Sequence, residues 1–274
     1  MLKDVKLVVS DLDGTLLDDK KHTPSELPDI LEALGRMGIP FVVASGRQLY
    51  TLRKQFTELG FGDRILYIGE NGGITGSGTE IFTCDGMDKE LLARMIRKLR
   101  RVEGCWPILC GKNSAYFEDD NEAMRYNTSM YYARNRLVED LLECLPEDEF
   151  CKVAVFAAND KAEEVAYPAL MEFGDEAAVV VSGKRWVDVM NRGTNKATAL
   201  QQLCAHMNID LKNVMAFGDY LNDLEMLELC GHSYAMENSH PLLLQRIPGR
   251  SGHNNSGGVT ETIKRDLLGI SSEN

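Results

Sequence analysis

Four short, dominantly apolar runs constrain this chain more than any other feature: Val5–Ser10, Ile39–Ala44, Ile65–Ile68 and Val214–Phe217. Each has the length of a strand, and none alternates apolar with polar as a half-exposed strand does. Strands apolar on both faces must be covered on both faces, which is the condition of a parallel sheet. Helical periodicity fills the gaps between them. Thr23-Pro24-Ser25-Glu26 has the form of a capping box, and Leu27, Ile30, Leu31 and Leu34 repeat behind it, with Gly38 as a stop. Leu49–Leu59 reads as a helix closed by Gly60, and Leu200, Leu203, Cys204 and Met207 mark another. Leu221–Leu229 reads as a further helix, and Val259, Ile263 and Leu267 outline a terminal one. Strand–helix alternation of this kind predicts an α/β fold, a doubly wound parallel sheet built from residues 1–80 and 191–274.

Residues 81–190 follow a different grammar. Short strands are expected at Pro107–Cys110, Lys152–Ala157 and Ala177–Val181, with helices at Lys89–Arg101 and Lys161–Phe173. This segment reads as an α+β domain inserted into the core. Arg94, Arg97, Lys98, Arg100 and Arg101 form a basic helix face within it, read as a solvated face rather than a ligand site.

The net charge of -12 argues against a DNA- or RNA-binding protein, because phosphate backbones call for excess Lys and Arg. Small phosphorylated ligands stay open, since a bound cation and a few local donors override the global field. No apolar run approaches the roughly 18 residues of a membrane span, and the amino terminus lacks the pattern of a signal peptide. The seven Cys are scattered without a C-x-x-C pair, which points to reduced, mostly buried thiols in a cytoplasmic protein rather than zinc or disulfides. The five His show no metal-ligand spacing.

The chemistry concentrates where the apolar runs end. Asp11-Leu12-Asp13-Gly14-Thr15 follows the first run directly, in the position where open α/β sheets bind ligands. Two carboxylates one residue apart can share a site with separate tasks, one as nucleophile and the other as acid and base. Gly14 permits a sharp exit from the strand. D-x-D-G also opens some calcium loops, but an EF-hand needs an oxygen ligand fifth and its Gly sixth, whereas here Gly is fourth. Two Asp in a surface turn is the remaining bland reading.

Three further segments weigh against it. Ser45-Gly46-Arg47 ends the second run with a hydroxyl and backbone amides able to hold phosphate oxygens. Gly193-Thr194-Asn195-Lys196 sets Lys196 near the positive end of a helix, where a cation is unfavourable for the helix but suited to an anion. Phe217-Gly218-Asp219-Tyr220-Leu221-Asn222-Asp223 closes the fourth run with two Asp four apart, expected on one helical face. That cluster suits a hard cation, with Asn222 able to donate to an oxygen.

These four segments, in this order, resemble the four motifs of the haloacid dehalogenase superfamily of phosphohydrolases. The insertion resembles the α+β cap of its Cof-type subfamily by size and position. Ala235-Met236-Glu237-Asn238-Ser239-His240-Pro241 and Gly257-Gly258-Val259 are similar to that subfamily's late segments, with Gly257 in place of the usual acidic residue. The resemblance implies a Rossmann-like core, Asp11 as nucleophile and Asp13 as acid–base. It implies Mg²⁺ held by Asp11, Asp219 and the Asp13 carbonyl, with Asp223 acting through water. It assigns the phosphoryl group to the Leu12 amide, Ser45, Gly46, Lys196 and Asn222. A small phosphorylated metabolite, a sugar phosphate or similar phosphomonoester, would be the substrate, with pyridoxal phosphate and flavin mononucleotide also open; nothing indicates an oligomeric state. A phosphomutase of the same superfamily is the alternative enzyme, and a receiver-like phospho-accepting module the alternative of another class. Gly76, Gly78 and Gly193 are expected hinge positions.

Overall fold

The computed structural model describes residues 2–270; the outermost positions of the expected core, 1 and 271–274, lie outside them. Along the chain, β1 (Leu7–Asp11), α1 (Leu27–Arg36), β2 (Phe41–Ala44), α2 (Leu49–Glu58), β3 (Ile65–Gly69) and β4 (Ile74–Gly76) come first. Every residue of β1 and β2 is buried, as the apolar runs require. The helix α1 begins later than the sequence suggests and has no side-chain cap. Glu26, the far member of the expected capping box that opens at Thr23, instead lies just before the helix and pairs with Lys264, 2.5 Å away.

Residues 81–194 follow: β5 (Ile81–Cys84), α3 (Lys89–Leu99), β6 (Cys105–Gly111), β7 (Ala115–Phe117), α4 (Glu122–Tyr131), β8 (Asn135–Leu137), α5 (Leu141–Cys144), β9 (Phe150–Ala157), α6 (Tyr167–Leu170), β10 (Ala177–Gly183) and β11 (Trp186–Asn191). Together with Arg47–Thr51 they form one compact unit. Its sheet runs β10-β11-β9-β6-β7-β8, antiparallel apart from the β7–β8 pair. The two-residue period of strands sorts its core. Leu109, Val153, Val155 and Val187 face Leu92 and Met95 of α3, while Ile108, Ala154 and Phe156 gather with Met124 of α4. The helix expected over Lys161–Phe173 is broken into a wide turn at Ala162–Ala166, the short α6 and a tight turn at Met171–Phe173. Pro168 has no N–H to donate to the preceding turn, so the α-helical ladder cannot run through. The basic face of α3 is met by carboxylates: Arg94 pairs with Glu176, Lys98 with Glu172, and Arg100 with Glu118 and Asp140.

The chain then resumes the first unit with α7 (Lys196–His206), β12 (Val214–Gly218), α8 (Leu224–Leu229), β13 (His232–Met236), α9 (Pro241–Arg246), β14 (Gly249–Ser251) and α10 (Gly258–Thr262). The first unit comprises residues up to Gly46, Leu52–Glu80, and those from Asn195 on. Its strands pair in the order β14-β13-β12-β1-β2-β3-β4, parallel throughout except at β3–β4. The expected α/β architecture with a parallel sheet is therefore present. Helix α7 covers the sheet with Leu200, Leu203 and Cys204 against Leu7, Val9 and Val214. Of the three glycines expected as hinges, Gly76 pairs with Tyr67 inside the sheet. A Cβ on Gly78 would lie 2.3 Å from the Gly62 carbonyl oxygen, so close packing requires glycine there, and Gly193 has a φ of 87°. Among the described residues no helix is long and apolar enough to cross a membrane.

Candidate active site

Three adjacent parallel strands, β12, β1 and β2, end at one edge of the first unit's sheet. Asp11 is the last residue of β1 and pairs in register with Ala44, so Ser45 follows beside it. Gly218 ends β12 and Asp219 comes next. Helix α7 starts at Lys196, with Asn195 as its cap: the Asn195 Oδ1 accepts from the Thr198 N–H at 2.8 Å, and Thr198 Oγ1 accepts from the Asn195 N–H at 3.2 Å. This reciprocal box fixes where Lys196 leaves the helix.

Lys196 is 1% exposed, and its ammonium donates to Asp11 Oδ1 at 2.5 Å and to Asp223 Oδ1 at 2.7 Å. Burial alone would strip its proton, but the two carboxylates outweigh that and hold the ammonium charged. The expectation that Asp219 and Asp223 share a helical face fails. Asp219 precedes any helical turn, and Leu221–Asp223 is a tight 3₁₀ turn leading into α8. Asp223 instead folds back, and its Oδ2 accepts the N–H groups of Asp219 and Tyr220, each at 3.1 Å. The two acids still converge: carboxylate oxygens of Asp11, Asp219 and Asp223 lie within 4.8 Å of one another.

The buried Asp11 and Asp223 share the Lys196 ammonium, and the half-buried Asp219 stands beside them. Burial pushes the Asp11 carboxyl up to about 8, against the pull of Lys196 and with repulsion from Asp223 and Asp219 adding to the rise. Burial likewise pushes Asp219 up to about 6, with Asp223 adding to it while the Thr15 hydroxyl opposes it. Carboxylates so placed fit a hard divalent cation, which supplies the missing positive charge. The donor set fits as well. Both oxygens of Asp223 are engaged by the chain, whereas Asp219 is oriented through a single oxygen by the Thr15 hydroxyl at 2.7 Å. Gly14 makes the approach possible: its φ is 84°, and a Cβ there would stand 2.6 Å from Asp219 Oδ2.

The remaining expected residues distribute as follows. Leu12 is fully buried behind Asp11, and Ser45 is buried at the end of β2 with Gly46 after it. Asp13 turns outward, with its side chain 36% exposed and its Oδ1 2.8 Å from the ammonium of Lys21. Asn222 is exposed and donates through Nδ2 to Asn71 Oδ1 at 3.2 Å. Lys21 and Asn71 carried no sequence signal. A late loop is the other contributor. Asn238 donates to the Gly14 carbonyl at 2.7 Å and accepts from the Asn254 N–H at 3.0 Å, while the His240 N–H donates to the Asp219 carbonyl at 2.8 Å. The similarity of Ala235–Pro241 to a family segment marked this loop without suggesting its task.

The comparisons give a class to this parallel α/β sheet with its acidic, lysine-bearing cluster at the strand ends. The family profile of haloacid dehalogenase-like hydrolases matches residues 8–263, and the chain belongs to that family. It is 33% identical over 266 residues to the 5-amino-6-(5-phospho-D-ribitylamino)uracil phosphatase YbjI of Escherichia coli, covering 96% of both chains. It is 27% identical over 251 residues to an HMP-PP phosphatase of Yersinia enterocolitica, covering 89% of this chain and 88% of that one. The crystal structure of TM0651 from Thermotoga maritima superposes with a TM-score of 0.85 at 25% identity, over 98% of each chain. Within the family the protein is a phosphatase.

Proposed function

We propose that this phosphatase hydrolyses a small phosphomonoester through an aspartyl-phosphate on Asp11, with Mg²⁺ as its cofactor. The observation that carries this reading is the buried Asp11 carboxylate, gripped by Lys196 and flanked by Asp219 and Asp223. Asp11, Asp219 and the Asp13 carbonyl would hold the cation, with Asp223 contributing through water. Bound there, Mg²⁺ supplies positive charge against the phosphoryl oxygens.

The chain's own residues do the rest. Leu12, Ser45, Gly46, Lys196 and Asn222 hold the phosphoryl group in line with an oxygen of Asp11. That oxygen forms a bond to phosphorus as the ester P–O bond breaks, and Asp13 gives its proton to the departing oxygen. Asp13, now a carboxylate, takes a proton from water, whose oxygen attacks phosphorus. The bond to Asp11 breaks and inorganic phosphate leaves. We assign choice of the leaving group to the inserted domain, residues 81–190, which contains none of these side chains. A cytoplasmic setting accords with seven cysteines that are all thiols rather than disulfides.

The test is turnover of p-nitrophenyl phosphate and a panel of phosphorylated metabolites, including 5-amino-6-(5-phospho-D-ribitylamino)uracil and HMP-PP, the substrates named for relatives. Wild type is expected to turn over steadily with Mg²⁺ and to stop with EDTA, and Asp11→Asn to fall to background. Full activity after exhaustive chelation, or Asp11→Asn within about tenfold of wild type, defeats the proposal. A stoichiometric burst without turnover would mark a receiver-like module, and dependence on a bisphosphate sugar a mutase.

A further inference from the structure

The turn after β3 has an uncommon backbone. Glu70 and Asn71 are both left-handed, with φ of 51° and 54°. Consecutive left-handed L-residues persist only where their surroundings impose them, and such outliers gather at functional sites. Glycine serves this conformation without steric cost, and the chain uses it at the next position. Gly72 has a φ of 105°, and a Cβ there would lie 2.2 Å from the Asn195 carbonyl oxygen. Asn is among the few L-residues that visit this conformation readily, so what else an amide does at position 71 must be read from its side chain.

Its contacts say what. The Asn71 N–H donates to the Ser45 carbonyl at 3.0 Å. Its side-chain amide lies 3.0 Å from where a Cβ on Gly46 would stand, so it packs directly over that glycine. Its Oδ1 accepts from Asn222 Nδ2 at 3.2 Å. One residue thus touches three positions assigned above to the phosphoryl group, drawn from the separate loops that follow β2 and β12. We infer that Asn71 is a positioning residue of the phosphoryl site, aligning the Ser45–Gly46 loop with the amide of Asn222. The inference rests on the phosphatase reading and adds a residue to it.

A double-mutant cycle on the full chain with Mg²⁺ tests it, using Asn71→Gly, Asn222→Ala and the pair. Asn71→Gly keeps the left-handed turn accessible, and thermal melting checks that it folds. Each single variant is expected to lower kcat/KM for p-nitrophenyl phosphate about tenfold, the scale of one hydrogen bond to a charged partner. The inhibition constant for inorganic phosphate should rise in parallel. The pair should lose clearly less than the product of the two single losses, because part of what Asn71 does runs through Asn222. Multiplying losses in the pair, or wild-type kinetics in Asn71→Gly, overturns the inference. So does a melting temperature lowered by more than about 5 °C in Asn71→Gly, which would make the residue structural. Wild type without turnover removes the proposed function and this inference with it, whereas an active wild type with any of the other failures removes the inference alone.

Discussion

Lys196 sits where burial would normally exclude an ammonium, at 1% exposure, and two carboxylates keep it there. Removing one member of such a set leaves uncompensated buried charge, at a cost of about 3–5 kcal/mol. Lys196→Met should therefore destabilise the metal-free protein by that amount in urea unfolding. Mg²⁺ should recover part of the loss, since it supplies positive charge to the same carboxylates; a variant as stable as wild type without metal would contradict the electrostatic picture. Gly14 makes a second prediction at this scale. With a φ of 84° and Asp219 Oδ2 where a Cβ would press, Gly14→Ala should cost about 1–2 kcal/mol for the backbone alone. It should also raise the Mg²⁺ concentration for half-maximal activity, because Asp219 must move aside.

The elements carry consequences of their own. The loop between β13 and α9 acts as a brace: Asn238 joins the Gly14 carbonyl to the Asn254 N–H, and Asn254 donates in turn to the Leu17 carbonyl at 3.0 Å. Asn238→Ala orphans a carbonyl and an N–H, so denaturant unfolding should show a loss of about 1–3 kcal/mol. If stability is unchanged, the brace is not holding the loop after Asp13. These loops also mark how far the sequence could be read. Apolar runs exposed the strands, since burial on both faces leaves no other pattern, and the residues that end them were visible by type. What lay beyond was set by three-dimensional contact. Glu26 looked like the far member of a capping box, but it lies just before the helix and pairs with Lys264, distant in sequence. Asp219 and Asp223 looked helical by spacing, yet Asp223 turns back onto backbone N–H groups. Asn71 and Lys21 offered no pattern because folding alone brings their partners near: Ser45, Gly46 and Asn222 to the first, Asp13 to the second.

For the molecule as a whole, a cation that binds only the folded state adds stability by mass action, about 2.7 kcal/mol at a hundredfold excess over its dissociation constant. Thermal melting should thus rise with Mg²⁺ and fall after EDTA, and a melting temperature blind to both would argue against a folded-state site. Thiol labelling offers an independent check of the fold. Six of the seven cysteine thiols are buried, and burial pushes Cys204 up to about 11 and Cys230 up to about 12. A disulfide reagent such as DTNB should react quickly with Cys84 alone in the native protein and with all seven after unfolding. The place of β1 in the sheet bears on how the protein is made. Its register joins Val8 to Phe41 on one flank and Leu7 to Val214 on the other. A ribosome adding about 5–20 residues per second needs roughly 9 to 35 seconds between those two partners. Through that interval the nascent chain presents an open apolar strand edge, and neither Lys196 nor Asp223 can complete the acidic cluster around Asp11 before its last stretch. The first strand therefore waits, with one flank unpaired, until the final third emerges and closes the sheet.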